Sequence, residues 1–246
     1  MRVVNALPER RVMGLHSPEI KAVAKQLSHN GGEVVMPDGT HRFCANGVEV
    51  IRAFEAVPSE CLCYEETVVW GYLINLEKCS LDERLAMLTR YVPVLDNWAV
   101  CDSYCAHAKW MVLADKTALW AFLQPWFCSE HEFEVRFAVV VAMYYFLNEE
   151  WLDKVFERIN SLDFGRIKSK YKTLKGKPKV VQQGTVQGAV PYYVRMGVAW
   201  LLATALAKFP DQTRAFVRSS KLPADVIKLY IRKARESFRT RTVKAV

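Results

Sequence analysis

The sequence predicts an all-α protein built as an α-solenoid of two-helix repeats. Beyond residue 60, apolar residues recur at intervals of three and four positions, which is typical of amphipathic helices, and strict alternation is rare. Pairs of predicted helices begin near residues 60, 95 and 131. A period of about 35 residues is typical of helical solenoid repeats. The composition, 51% hydrophobic and 24% charged, is that of a chain with a substantial core.

The individual helices follow from apolar periodicity and from capping signals. Ser80 lies three residues before Glu83, which is the spacing of a capping box. Prolines at 18, 210 and 223 mark helix starts or stops. The predicted helices span residues 60–76, 81–91, 95–110, 115–127, 131–146, 148–160, 189–208, 211–220 and 223–238.

Two segments interrupt this helical pattern. Glycine, proline and Asn-Gly pairs in residues 30–46 predict turns and a short hairpin. Residues 165–187 are rich in Gly, Lys and polar side chains, and they displace the fourth helix pair, so we expect a long basic loop inserted there. No other break in composition indicates a second core. We therefore expect residues 1–246 to form a single elongated repeat domain.

The positive charge of the chain is concentrated in two segments. The chain carries 34 Lys or Arg and 26 Asp or Glu, a net charge of +8. Residues 166–179 contain seven Lys or Arg and no acidic residue, and residues 214–246 contain ten Lys or Arg and two acidic residues. The rest of the chain is therefore net acidic. Such localised charge favours a polyanionic partner that binds at particular places.

Several classes of protein are disfavoured by the same composition. Charges and Pro8 interrupt the first fifteen residues, so we expect no secretory signal and a cytoplasmic location, close to the nucleoid. The longest uncharged apolar run, residues 137–147, is too short to span a bilayer, which needs about 20 residues. The seven cysteines show no metal-binding spacing, and we expect reduced thiols and no metal site.

The segment DNWAVCDSYCAH at residues 96–107 contains the strongest candidate for chemistry. On a helix, Trp98 and Asp102 are one turn apart on one face, and the neighbouring residues are mostly apolar. A carboxylate in such surroundings needs a partner or a function. About one repeat later, Arg136 is the only basic residue between Phe133 and Phe146, and stacked repeats would place it near Asp102. A buried structural ion pair is an equally good interpretation of this pair.

A second aromatic position, Trp200, follows in the helix predicted at 189–208. Aromatic residues at helical spacing are more often part of a core than of a ligand platform. A concave surface carrying Trp98, Asp102, Arg136 and Trp200 would nevertheless suit a cationic substrate, since a carboxylate neutralises charge and indole rings contact flat cations.

Four blocks and one arginine resemble the AlkD-like DNA glycosylases, a family of HEAT-repeat DNA alkylation repair proteins. The blocks are the opening helix at 12–27, the first repeat at 57–74, the Trp-x-x-x-Asp helix at 96–105 and the second tryptophan segment at 192–200, with Arg136 between the last two. The order and spacing of these residues make the resemblance specific. It covers roughly residues 10–240 and implies HEAT-like repeats with a curved, concave DNA-binding surface.

The resemblance also implies an activity, the excision of cationic N3- and N7-alkylated purines from double-stranded DNA. Asp102 matches the catalytic carboxylate, Trp98 and Trp200 match the cleft tryptophans, and Arg136 matches the arginine beside them. The carboxylate would stabilise the oxocarbenium-like sugar and position water. No cofactor is implied, and we expect a monomer without membrane contact. The basic residues expected to bind DNA are Lys168, Lys170, Lys172, Lys175, Arg195, Arg232, Lys233 and Arg239.

The chain also departs from the family. Many members place an arginine three residues after the second tryptophan, where this chain has Ala203. The basic loop is longer than in the family and either supplies the missing phosphate contacts or is a solvated insertion. The basic C-terminus is either a DNA-facing helix or a solubilising tail. A non-catalytic HEAT-repeat module that binds nucleic acid, or a helical protein scaffold, remains the alternative to a glycosylase.

Overall fold

The computed structural model describes residues 10–169, 171–174, 177–180 and 191–246. The described chain is mostly helical and forms two compact units, Met1–Leu119 and Trp120–Val246. The predicted all-α class is therefore confirmed. The solenoid and the single elongated domain stay predictions.

The first unit contains helices and one small hairpin. Three helices, α1, α3 and α5, form a row in which α3 packs against both others. The α-helices are α1 (Ser17–Asn30), α2 (Gly47–Ala56), α3 (Tyr64–Leu76), α4 (Leu81–Tyr91) and α5 (Trp98–His107), and the strands are β1 (Gly32–Val35) and β2 (His41–Cys44). Short 3-10 helices, Val92–Val94 and Lys109–Val112, follow α4 and α5, and helix α6 (Lys116–Phe127) begins within this unit.

The core of the first unit lies around α3. Every residue from Glu65 to Ile74 except Glu66 is buried. The Trp70 ring packs against Phe54 of α2, with ring centroids 6.2 Å apart, and against Tyr91 of α4, with centroids 5.4 Å apart. A helix that is apolar on nearly all sides must be surrounded by others. Helix α3 therefore provides the central support for α5.

The second unit repeats the arrangement of a row of helices. Helix α9 packs against α7 on one side and α11 on the other, and α10 packs against α9 as well. Its helices after α6 are α7 (Glu132–Tyr145), α8 (Leu152–Asn160), α9 (Tyr192–Lys208), α10 (Pro210–Ser219) and α11 (Ala224–Glu236). Helix α7 is buried along most of its length because it carries the uncharged run that begins at Phe137.

Most local predictions match these elements. All nine helices predicted from periodicity are present, and the Ser80 hydroxyl and the Glu83 carboxylate form the predicted capping box. Helix α1 overlaps the block at 12–27 that resembles the family's opening helix. The predicted hairpin is confirmed, with Gly32 paired with Cys44 and Val35 with His41.

Two local features differ from the sequence prediction. Helix α2 is absent from the predicted helices because Asn46-Gly47 resembles a turn. In the structure, Asn46 is the N-cap of α2, and its side chain accepts a hydrogen bond from the Glu49 amide at 3.0 Å. The basic segment predicted as a loop contains two paired strands, β3 (Tyr171–Leu174) and β4 (Lys177–Val180). Among the described residues, no helix combines the length and apolarity needed to cross a membrane.

Candidate nucleic-acid interface and catalytic site

Helix α5 is fixed at its start by a buried polar network. The Asn97 side chain caps the helix by accepting a hydrogen bond from the Val100 amide at 3.0 Å, and Asn97 is 1% exposed. Its amide group donates to Asp96 at 2.9 Å. Asp96 in turn pairs with the guanidinium of Arg10, which also donates to the Thr67 hydroxyl of α3. The residues that precede Trp98 are therefore held rigidly against α3.

The two predicted site residues of α5 lie on its half-exposed side. Val100, Cys101, Tyr104 and Cys105 point into the core of the first unit and are buried. Trp98 and Asp102 are both intermediate in exposure. Since they are four residues apart, their side chains lie on the same face of the helix, one turn from each other. A large aromatic ring and a carboxylate thus adjoin on a face that a ligand can reach.

Arg136, the third predicted site residue, is buried on α7 in the second unit. Arg136 is 4% exposed, and its guanidinium Nη1 donates a hydrogen bond to the Tyr193 carbonyl at 2.5 Å. This contact ties α7 to the first residues of α9. The expectation that Arg136 lies near Asp102 stays a prediction, since the two residues belong to different units.

Glu132 lies one turn before Arg136 and binds the same residue of α9. Its carboxylate accepts hydrogen bonds from the Tyr193 amide at 2.6 Å and from the Ser169 hydroxyl at 2.5 Å. Glu132 is 3% exposed, and burial raises the pKa of its carboxyl from 4.5 to about 7, although these hydrogen bonds and the charge of Arg136 oppose the shift. Glu132 therefore supplies the acceptor at the start of α9, where the N-cap Pro191 makes no side-chain hydrogen bond.

Trp200 lies on the half-exposed stripe of α9. The side chains of Tyr192, Met196 and Thr204 share this stripe and this degree of exposure. The indole ring of Trp200 meets the ring of Tyr144 on α7 edge to face, with centroids 6.0 Å apart and an interplanar angle of 85°. Tyr144 is 41% exposed. Trp200 is thus part of an accessible aromatic pair in the second unit.

The basic residues predicted to bind DNA are engaged to different degrees. Lys168 is exposed, and its ammonium group lies 2.5 Å from Glu130. Arg195 is mostly buried, pairs with Asp225 of α11 and lies over the Phe164 ring. Arg232 and Lys233 both pair with Glu236, at 3.6 Å and 3.1 Å, and Arg239 is exposed. Lys170, Lys175 and the side chain of Lys172 lie outside the described residues.

The position that departs from the family pattern is closed to solvent. Ala203, three residues after Trp200, is 6% exposed and faces the interior of the second unit. A longer basic side chain at this position would have to leave the core to reach a phosphate. The alanine is therefore consistent with the way α9 packs in this chain.

Two residues near the predicted site escaped the sequence analysis. Glu132 directly precedes the segment from Phe133 to Phe146 that contains Arg136, and only the fold brings it into contact with Tyr193. Tyr144 belongs to an aromatic run that resembles core sequence, and its exposure next to Trp200 is set by the packing of α7 on α9. For Glu132 the available signal was its spacing of four residues from Arg136.

The chemistry available to this arrangement is that of a carboxylate. Within the described ranges, no cluster of three His, Cys, Asp or Glu side chains could hold a metal ion. All seven cysteines are free thiols. A half-buried carboxylate beside an indole ring can stabilise a developing positive charge and orient a water molecule.

A comparison with protein families supports one of the general classes. Residues 64–163 match the family model described as DNA alkylation repair enzyme. Over this segment the chain is similar to the DNA alkylation repair enzymes. The matched segment begins with α3 and contains Trp98, Asp102 and Arg136, whereas Trp200 lies beyond it. No curated protein and no solved structure matches the chain.

The resemblance to the AlkD-like DNA alkylation repair family is therefore confirmed over residues 64–163 by the family match. The match supports an enzymatic role in DNA repair, with DNA as the substrate. It also includes helix α5, the helix on which the candidate carboxylate lies.

Proposed function

We propose that this protein is a DNA glycosylase that hydrolyses the N-glycosidic bond of cationic N3- or N7-alkylated purines in double-stranded DNA. The observation that carries the proposal is the half-exposed pair of Trp98 and Asp102 on α5, within the segment that matches DNA alkylation repair enzymes. Alkylation makes the purine a good leaving group. The enzyme then has to stabilise the positive charge that develops on the sugar and to place a water molecule.

Asp102 is the proposed catalytic residue. Its carboxylate would lie against the deoxyribose, stabilise the oxocarbenium-like transition state and accept a proton from the attacking water. Trp98 and Trp200 would each contact the sugar and backbone of the DNA, with Tyr144 packed against Trp200. No cofactor is needed for this hydrolysis. We also propose that the protein acts as a monomer in the cytoplasm, at the nucleoid.

Arg136 has a different proposed role. The sequence places it among the catalytic residues, but in the structure its guanidinium is buried and bonded to the Tyr193 carbonyl. We therefore propose that it acts through α9, by fixing the start of the helix that carries Trp200. A positioning role of this kind predicts that substitution of Arg136 lowers stability as well as activity.

The deciding experiment measures base release from methylated duplex DNA. Wild-type protein should release 7-methylguanine or 3-methyladenine, and Asp102→Asn should lower the rate by about 10²-fold or more. Asp82→Asn is the matched control, because Asp82 is an exposed carboxylate of α4. Its rate should equal that of the wild type. If the wild-type protein releases no base where a known glycosylase does, the proposal is wrong.

The alternative is a non-catalytic module that binds nucleic acid. The burial of Arg136 is the observation that favours it, because a structural arginine needs no reaction to explain it. This alternative predicts salt-sensitive DNA binding that is the same for methylated and unmethylated duplexes. It also predicts that Asp102→Asn alters stability but leaves no activity to lose.

A further inference from the structure

Polar side chains from three helices of the first unit form a line that ends beside Asp102. Lys21 of α1 holds its ammonium nitrogen 5.8 Å from the ring centroid of Tyr72 on α3. The Tyr72 hydroxyl lies 3.1 Å from the Ser103 hydroxyl on α5. Ser103 directly follows Asp102 in the chain. We call Lys21, Tyr72, Ser103 and His107 the donor track. Lys21 is exposed and Ser103 is half-exposed, whereas Tyr72 is 8% exposed and contacts the other three.

His107 completes the donor track on α5. Its Nδ1 atom lies 2.7 Å from the Ser103 carbonyl oxygen, and since a carbonyl only accepts, Nδ1 donates in this contact. The ring packs edge to face against Tyr72, with centroids 5.2 Å apart. These contacts fix the imidazole at the edge of α5 that faces α3.

The exposed surface of α5 has two different edges. Trp98 and Asp102 form one edge, and Ser103 with His107 forms the edge next to α3, because successive residues of a helix are rotated by about 100°. Between the edges lie only Ala99 and Ala106, both half-exposed. Alanine side chains leave room for a backbone to approach the helix. The surface therefore offers a shallow floor with a carboxylate on one side and donors on the other.

We propose that the donor track binds the phosphodiester backbone of the DNA strand whose damaged nucleotide lies at Asp102. The inference rests on the proposed function, since it takes that nucleotide as the substrate. An ammonium group and hydroxyl groups are the side-chain donors that proteins use on DNA phosphates. When the Tyr72 hydroxyl donates to the Ser103 hydroxyl, the hydrogen of the half-exposed Ser103 hydroxyl is left to bond a phosphate oxygen. Asp102 repels phosphate, so the backbone lies on the donor edge and the sugar on the carboxylate edge.

The test measures the binding of an unmethylated duplex by fluorescence anisotropy at several salt concentrations. Lys21→Gln should lower the slope of log K against log salt by about 0.9, the effect of one lost phosphate contact. Affinity should fall whatever the sequence of the duplex. Tyr72→Phe should weaken binding with an unchanged slope, because it removes a hydroxyl and no charge. Lys78→Gln, a change at an exposed lysine between α3 and α4, is the control and should keep the wild-type slope.

The outcomes separate this inference from the proposed function. If Lys21→Gln binds DNA with the same affinity and the same salt dependence as Lys78→Gln, the proposed binding of the DNA backbone by the donor track is wrong. This holds whether or not the protein releases bases. If Lys21→Gln lowers the slope while the wild-type protein releases no methylated base, the track stands and the glycosylase proposal fails. Circular dichroism of each variant checks that the helices are intact.

Discussion

The ionisation of Glu132 couples the stability of the second unit to pH. The carboxyl group is 3% exposed, and burial raises its pKa from 4.5 to about 7. Its two hydrogen bonds, to the Tyr193 amide and the Ser169 hydroxyl, and the neighbouring Arg136 act in the opposite direction. The folded state therefore holds a proton on Glu132 over a range of pH in which the unfolded chain has lost it.

The sign of the effect follows from this difference in bound protons. The contribution of Glu132 to stability is fully present below pH 4.5 and is lost as pH rises through about 7. One pKa unit corresponds to about 1.4 kcal/mol, so this shift corresponds to roughly 3 kcal/mol. The free energy of unfolding of the wild-type second unit should fall by that amount across this range, relative to a variant in which the group does not ionise.

Glu132→Gln provides that variant. Urea unfolding of wild type and variant, followed by tryptophan fluorescence at several values between pH 4.5 and 8, gives the free energy of unfolding of each. The difference between the two proteins should change by roughly 3 kcal/mol over the range, in the direction that favours the variant at high pH. Glu134→Gln, two residues along the same helix, should follow the wild-type curve. Parallel curves for wild type and Glu132→Gln would refute the reasoning.

Three further substitutions test how the scaffold is held. Ser80→Ala removes the capping hydroxyl of α4 and should cost about 1 kcal/mol in urea unfolding. Gly71→Ala places a methyl group against the Tyr91 hydroxyl, so thermal unfolding should show a loss of about 1–3 kcal/mol in the free energy of unfolding. An unchanged Tm would show that α3 and α4 can move apart freely. Arg195→Gln breaks the ion pair with Asp225 and should lower the free energy of unfolding by about 1 kcal/mol at low salt. Because salt screens the pair, the loss should be smaller in 1 M NaCl. A loss that does not depend on salt would contradict an electrostatic origin.

The sequence by itself determined the local features of this protein. The apolar periodicity after residue 60 predicted nine helices, because each must bury one face, and Ser80 marked the start of α4, because a hydroxyl at that position satisfies an open backbone amide. The spacing of Trp98 and Asp102 places both on one face of α5, whatever the surrounding fold. These properties depend on residues at most one or two turns apart.

Only the tertiary structure decided which distant residues meet. Glu132 and Tyr193 are separated by 61 positions, and their contact exists because α7 packs against α9. The same packing buries Arg136 and leaves Tyr144 exposed beside Trp200. In the sequence, each of these three residues is compatible both with a core position and with a site. Burial and long-range pairing depend on the whole arrangement of helices, because helical periodicity does not specify which other helix an apolar face will contact.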